Sequence, residues 1–272
     1  MSRALILSGG AFRGAIQVPV IEYLKERHEY DEVYGVSVGS INGAMFAQDQ
    51  LVELRELWDS VDGVNGFLSH NWYWPFNGWY SMKPLRKKLE KYTDLELMKV
   101  PFYAGIVSFT DGEYRNLSTE NMKKNKELWD AIQASSCMAG IMIPEYLEID
   151  GKEHLGVDGG FRSIIPTMKD KGFDYIDVVT CTPLDRMLMK EGFKKNKIFN
   201  LFKYFRRSIE IFEDEIFDKD IMEISNFKNT EIRVFSPSRY PGDSLAAKRE
   251  DIEFRYELGK EAIKNPLIIN PK

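Results

Sequence analysis

A serine stands between two glycines in GVSVG, residues 35–39, within the longer stretch DEVYGVSVGSINGAMFA. The G-x-S-x-G pattern permits a sharp strand-to-helix turn. Such a turn lifts the Ser37 hydroxyl above a sheet edge and beside a helix N-terminus, where it is exposed as a nucleophile. Gly35 and Gly39 keep side chains out of the turn. A second stretch, GGAFRGA, follows an apolar run and precedes a helical pattern. Successive amides from Gly9, Gly10, Ala11, Phe12, Arg13 and Gly14 can line one concavity and bind an oxyanion, with Arg13 orienting the loop or adding positive potential. A third stretch, VDGGFRSIIP, sets Asp158 before Gly159 and Gly160. Asp-Gly-Gly alone is ordinary turn chemistry. In the company of the other two stretches, Asp158 becomes a candidate site residue.

A serine nucleophile normally needs a base, and the chain has only 3 histidines. His28, in KERHEY, has charged neighbours that suggest a solvated position, and His70 lies in an aromatic loop. His154, in GKEHLG, sits on the strand that leads to Asp158, where alternation does not decide between core and solvent. A rival reading of GGAFRGA is a dinucleotide loop, since G-x-A-x-x-G is one glycine short of the Rossmann pattern. That pattern wants an acidic residue closing the second strand to hold a ribose hydroxyl; here the second strand runs straight into GVSVG.

The elements that must position these residues follow from periodicity. ALIL reads as a buried parallel strand, AIQVPVIEYLKER as a helix with Pro19 in its first turn, EVYGVS as a second strand, and SINGAMFAQ and LVELRELWDSV as two more helices. This alternation predicts a parallel sheet covered by helices. SMKPLRKKLEKY begins another helix with Ser81 as its cap, and KELWDAIQASSCMAG is helical. TDGE and DGK each join two strands as a hairpin, the second leading into Asp158. DYIDVVTCTP and EIRVFSPS are further strands. From Phe199 to about Met222 the pattern is helical, with Phe202, Phe205, Ile209, Phe212 and Ile216 on one face, and Leu245 to Ile263 forms a polar amphipathic helix. No repeat, low-complexity tract or linker interrupts the chain, so one domain over residues 1–272 is expected.

The chain's 272 residues, 43% hydrophobic and 29% charged, suit one large α/β domain. A net charge of -5 gives no broad basic footprint, which argues against nucleic acid as a partner. Cys137 and Cys181 lie in apolar surroundings and read as reduced core thiols, and no metal-ligand spacing is present. The apolar run in MSRALILSGG is too short for a signal peptide and no stretch approaches a membrane span, so the cytoplasm is the expected compartment.

The order GGAFRG, GVSVG, DGG resembles the patatin-like phospholipase family. LILSGGAFRGAIQVPVIEYL is similar to its first strand, oxyanion loop and helix, YGVSVGSINGAMFA to its elbow, and DAIQASSCMAGIMIPEYLEIDGKEHLGVDGGFRSIIP to its helix, hairpin and Asp motif. The resemblance covers about residues 4–182, with 183–272 matched only loosely. It implies a three-layer α/β fold, with a mainly parallel central sheet flanked by helices and β-hairpin additions. It also implies a lipid acyl hydrolase built on a Ser-Asp dyad without histidine. Ser37 would be the nucleophile and Asp158 the base, with amides around Gly10 and Ala11, joined by Val38, holding the oxyanion; no metal or cofactor is called for. Phospholipid is the leading substrate, followed by other acyl esters. A lipid-binding protein that keeps the fold with weak catalysis is the alternative. The family's loop usually has a third consecutive glycine where this chain has Ala11, whose methyl is tolerated at negative φ and strained at positive φ. Pro19 and Ser163 stand where glycine and asparagine are more usual. The basic, Phe-rich residues 190–207 are expected either to pack on the body or to lie on an anionic membrane surface, and the aromatic residues 71–80 either to pack on the body or to form an interfacial cap over an acyl channel.

Overall fold

The run ALIL is buried on both faces. Leu5 and Leu7 join one apolar core and Ala4 and Ile6 another. A strand apolar on both sides belongs inside a sheet covered by two layers, and that is the architecture of this computed structural model. The structure describes residues 1–71, 78–166, 168, 171–185, 187–191 and 201–270. The membrane-contact expectation for the two aromatic stretches falls largely on residues 72–77, residues 192–200 and the side chains of 201–207, which lie outside the described residues.

The chain runs through β1 (Arg3–Leu7), a 3-10 segment (Ala11–Ile16), α1 (Gln17–Lys25), β2 (Glu32–Val36), α2 (Val38–Ala47) and α3 (Leu51–Asp59). A small hairpin of β3 (Ser69–His70) and β4 (Tyr80–Ser81) precedes α4 (Lys83–Tyr92), β5 (Phe102–Ser108), β6 (Tyr114–Ser118) and α5 (Asn125–Ser135). Then come β7 (Glu145–Ile149), β8 (Lys152–Asp158), β9 (Tyr175–Val179), α6 (Met187–Glu191), α7 (Leu201–Ser225), β10 (Glu231–Phe235), α8 (Arg249–Ala262) and β11 (Leu267–Ile269). Strands β10, β9, β1, β2 and β5 are parallel neighbours in that order, and β11 closes one edge antiparallel. Helices α1, α2, α3, α5 and α8 cover one face; α7 covers the other with Phe217 and Ile224.

Strand β5 is the junction that brings the candidate residues together. Antiparallel β6 pairs along Tyr103 to Val107, occupying one edge of β5. On the other edge β2 ends with Val36 opposite Gly105, and antiparallel β8 ends with Asp158 opposite Ile106. The two strands therefore run toward each other along one edge and stop at adjacent residues of β5. The hairpin that delivers β8 turns at Asp150-Gly151, with φ of 51° and 72°, the left-handed pair that a two-residue turn requires.

Some sequence expectations shift in detail. Met82, not Ser81, caps α4, and the Ser81 hydroxyl accepts from the Lys83 amide at 3.4 Å. The last helix starts at Arg249 rather than Leu245. On α7, Phe217, Asp220 and Ile224 are buried; of the expected apolar face, Ile209 and Ile216 pack against the two cores, whereas Phe212 is 67% exposed. The β3–β4 hairpin and β11 were not foreseen, being only two and three residues per strand.

Candidate active site

Ser37 occupies the step between β2 and α2 with φ 54° and ψ -126°, a backbone state costly for any residue with a Cβ. The flanking glycines explain how the state is held. A methyl at Gly35 would come within 2.2 Å of the Gly39 carbonyl oxygen, and one at Gly39 within 2.3 Å of the Leu7 carbonyl oxygen. The turn is thus pressed into itself and against the end of β1. Its polar groups are tied as well. The Ser37 amide donates to Ser135 Oγ at 2.9 Å, and Ser135 Oγ donates to the Gly105 carbonyl at 2.7 Å. The Ser37 carbonyl accepts from the Ser40 amide and from the hydroxyls of Ser40 and Ser136. Ser37 remains half-buried while its neighbours Val36 and Val38 are buried.

Asp158, at the end of β8, is 8% exposed. It faces the Ser37 side chain, whose hydrogen-bonding influence favours the carboxylate, and its Oδ1 accepts the Gly160 amide at 2.8 Å. Burial outweighs both and pushes the carboxyl up to about 7, with Glu213 on α7 adding to the rise. Gly159 allows the close fit, since a methyl there would meet both the Gly105 carbonyl oxygen and Val36 at 2.6 Å.

The loop after β1 lies against Ser37: a methyl on Gly9 would stand 3.3 Å from Ser37 Cβ. Its amides divide into two sets. Gly9 donates to the Ile164 carbonyl at 2.9 Å, Phe12 to Ser244 at 3.0 Å, and Arg13 to Gly10 at 3.1 Å. Among the described residues no acceptor is found for the amides of Gly10 and Ala11, nor for that of Val38 at the start of α2. Gly10 and Ala11 are also the partly exposed members of the loop, and Phe12 to Gly14 are buried. Of the six loop residues singled out in the sequence, Gly9, Phe12 and Arg13 thus have amides engaged within the protein, whereas those of Gly10 and Ala11 have no acceptor among the described residues. Ala11 has φ 49°, so the methyl in place of a third glycine sits in the strained case. Arg13 is buried and its Nε donates to the Gly242 carbonyl at 2.9 Å, which ties the loop to the segment before α8. Gly14 packs on Val38, where a methyl would come within 2.3 Å.

The histidines stand apart from Ser37. His70 is exposed, and His28 is part-buried beside the Arg3–Asp177–Arg233 cluster, where burial lowers its pKa. His154 is buried, and its Nδ1 lies 2.9 Å from Ser108 Oγ and 3.6 Å from an Asp111 oxygen. Serine, histidine and aspartate meet there, but both contacts fall on the same ring nitrogen. A relay needs them on opposite nitrogens. Ser108 is fully buried, and the group locks β5 to β8. Cys137 and Cys181 are free, buried thiols, the second pushed up to about 12 by burial. No cluster that could hold a metal ion occurs among the described residues.

Several supporting residues carry no local sequence signal. Gln17, Asn42 and Trp58 form a buried chain of hydrogen bonds that ends on the Ser8 and Gly14 carbonyls. Asp220 on α7 is fully buried and accepts the amides of Ile164 and Ile165 at 2.7 and 3.0 Å. Ser163 donates to the Ile165 carbonyl at 2.5 Å. Of these supporting residues, the sequence singles out Ser163 alone, as standing where the family more usually has asparagine, and Ser135 and Ser136 pass unremarked within their helix.

A family model described as Patatin-like phospholipase matches residues 5–169. Lysophospholipase NTE1 of Candida glabrata is 25% identical over 201 residues, covering 69% of this chain and 11% of that protein. Patatin-like phospholipase domain-containing protein 7 of Mus musculus is 25% identical over 173 residues, covering 60% and 12%. The chain thus spans about a tenth of the length of the curated relatives it matches. The solved structure of VipD from Legionella pneumophila aligns with 97% of this chain and 67% of its own, at TM-score 0.46 and 11% identity.

Proposed function

The chain belongs to the patatin-like phospholipase family, and on that premise we propose that it hydrolyses fatty-acyl esters of lipids through Ser37 and Asp158. The observation that carries the reading is the burial of Asp158 against the Ser37 side chain, with its carboxyl held near 7. An aspartate in water is too weak a base for a serine hydroxyl; one raised to about 7 and already in place is far better matched to the task. Ser37 Oγ attacks the ester carbonyl as Asp158 takes its proton. The new C–O bond pushes the carbonyl electron pair onto oxygen, where the amides of Gly10, Ala11 and Val38 stabilise it. Collapse breaks the bond to the leaving alcohol, which receives the proton from Asp158. Water, deprotonated by Asp158, then attacks the acyl-enzyme; the bond to Ser37 Oγ breaks, Asp158 returns the proton to that oxygen, and the fatty acid leaves.

Phospholipid or lysophospholipid is the substrate class we favour. The family's name and that of the NTE1 relative support it. Peripheral contact with a lipid surface is part of the same proposal. No described helix is long and apolar enough to cross a membrane, and the aqueous cytoplasmic side is the compartment proposed. The test is hydrolysis of fluorogenic esters and labelled phospholipids, on anionic vesicles and as monomers, by the native chain and Ser37→Ala, with products identified by mass. Release of fatty acid that survives Ser37→Ala would sink the mechanism. The second reading is a lipid-binding protein with little turnover. The strained φ of 49° at Ala11 is the observation in its favour. Vesicle binding without detectable ester cleavage would select it.

A further inference from the structure

Arg255, on α8, is fully buried, and its hydrogen bonds to described residues all go to backbone carbonyls. Its Nη1 donates to Phe12 O at 3.1 Å and to Ala246 O at 2.6 Å, its Nη2 to Asp243 O at 2.7 Å, and its Nε to Pro241 O at 3.2 Å. Burying a guanidinium this way is costly, and a protein core could fill the space more cheaply with an apolar side chain. The partners suggest what the cost sustains. Phe12 is flanked by the same assembly twice: its carbonyl accepts from Arg255, and its amide donates to Ser244, inside the 241–246 segment that Arg255 gathers.

The bonding continues toward the site. The Phe12 carbonyl and the Arg13 N–H belong to one peptide group. That N–H donates to the Gly10 carbonyl at 3.1 Å. The Gly10 carbonyl and the Ala11 N–H belong to the next peptide group in the sequence of bonds. A charged donor at the start of such a chain polarises each peptide in turn, and hydrogen bonds in series strengthen one another. The chain ends on the Ala11 amide, one of the two loop donors without an internal acceptor among the described residues. It also grips the backbone on both sides of the residue whose φ of 49° would otherwise relax.

We propose that Arg255 is a positioning residue for the oxyanion loop, fixing Ala11 in its strained conformation and, through the Phe12 and Gly10 peptide groups, making the Ala11 amide a stronger donor to the developing oxyanion. This rests on the hydrolase reading above. Lysine cannot replace the arginine, because one ammonium does not reach carbonyls from residues 12, 241, 243 and 246 in the planar fork that a guanidinium provides.

The test uses the full chain, a fluorophosphonate that labels a reactive serine, and a chromogenic ester. Arg255→Gln and Arg255→Lys are compared with Arg233→Lys, which perturbs the separate buried Arg3–Asp177–Arg233 cluster. For the Arg255 variants that keep the native circular-dichroism spectrum, kcat and the phosphonylation rate are expected to fall by about 10- to 100-fold with KM nearly unchanged. Lysine should rescue neither. The acyl-enzyme carbonyl should absorb at higher infrared frequency, because it is less polarised. Arg233→Lys should lower the melting temperature without these changes. Should neither Arg255 variant fold, the native chain still decides: on phosphonylation of Ser37, the amide proton of Arg13 should move downfield together with that of Ala11. Native phosphonylation rates and an unshifted carbonyl in folded Arg255 variants would overturn the proposal, as would an Arg13 amide that stays put while that of Ala11 moves. If the native chain itself is neither labelled nor active on esters, the hydrolase reading fails first and this one with it.

Discussion

Replacing Asp158 with asparagine is expected to stabilise the fold and abolish turnover together. The folded carboxyl is held at about 7 against an ordinary 3.8, chiefly by burial. At about 1.4 kcal/mol per pH unit, that gap corresponds to about 4 kcal/mol. Relaxation of a real interior reduces such figures, so about 2–4 kcal/mol is the working range. Because the folded value is raised, the native state holds the proton more tightly than the unfolded chain does. The stability associated with Asp158 is fully present below its unfolded value and is lost as pH rises from there through about 7. Asparagine has nearly the same shape, can still accept the Gly160 amide and never ionises. The difference between variant and native chain should therefore be small at about pH 4, widen up to about pH 7 and stay constant above. Asp220, also raised to about 7 by burial, imposes the same trend on both proteins and cancels in the difference. Paired urea titrations at acid, neutral and mildly alkaline pH would read the gap, and melting temperatures should separate by roughly 5–15 °C above neutrality. Ester hydrolysis should fall by about two to four orders of magnitude. An asparagine variant less stable than the native chain at alkaline pH, or a gap indifferent to pH, would refute the account of a buried carboxyl raised by desolvation.

The rate should carry the same signature: kcat/KM rises with pH and levels off above about 7, where Asp158 is ionised. Ser37→Ala removes a partner that lowers the Asp158 carboxyl, so the midpoint of its carbon-13 NMR titration should move up; a midpoint that stays fixed would separate the two residues. His154→Gln should lower stability by about 1–2 kcal/mol through loss of the Ser108 contact while leaving most of the turnover, measured by denaturation and ester assay side by side. Ala11→Gly relieves a φ of 49° but adds chain entropy to the unfolded state, so a net gain of up to about 1 kcal/mol is expected in urea, with hydrolysis retained.

The parallel part of the sheet was legible because its strands are short, largely apolar stretches, several of them closed by glycine or proline, and because helical patterns lie between them. The three glycine-bearing stretches stood out for a related reason: at Gly35, Gly39 and Gly159 backbone atoms come so near that no other residue fits, and such constraints are written in the residue type itself. The scaffold behind the loop was not legible. Gln17, Asp220 and Arg255 make hydrogen bonds to backbone carbonyls or amides remote in sequence, and a backbone group has no residue identity to read. The solvent exposure of Phe212 was missed because α7 is only weakly amphipathic in sequence, and its orientation is set by Asp220 reaching under the Asp158 segment. His154 looked undecided because one neighbour on β5, Ser108, makes the buried position tolerable for a polar ring.

The meeting of β2 and β8 on one edge of β5 also has a consequence in time. Ser37 and Asp158 lie far apart in sequence, and they meet through the ladders that β5 forms with each and through the end of α5, where Ser135 and Ser136 bond to Ser37 and the Cys137 carbonyl accepts the Asp158 amide. Contacts of long sequence separation form late, because the intervening chain must lose its freedom first. A chain whose helices and first parallel strands have already assembled would still lack a base beside its serine. On dilution from denaturant, recovery of esterase activity should trail the return of helical circular dichroism, and the folding intermediate should be helical and inert toward ester.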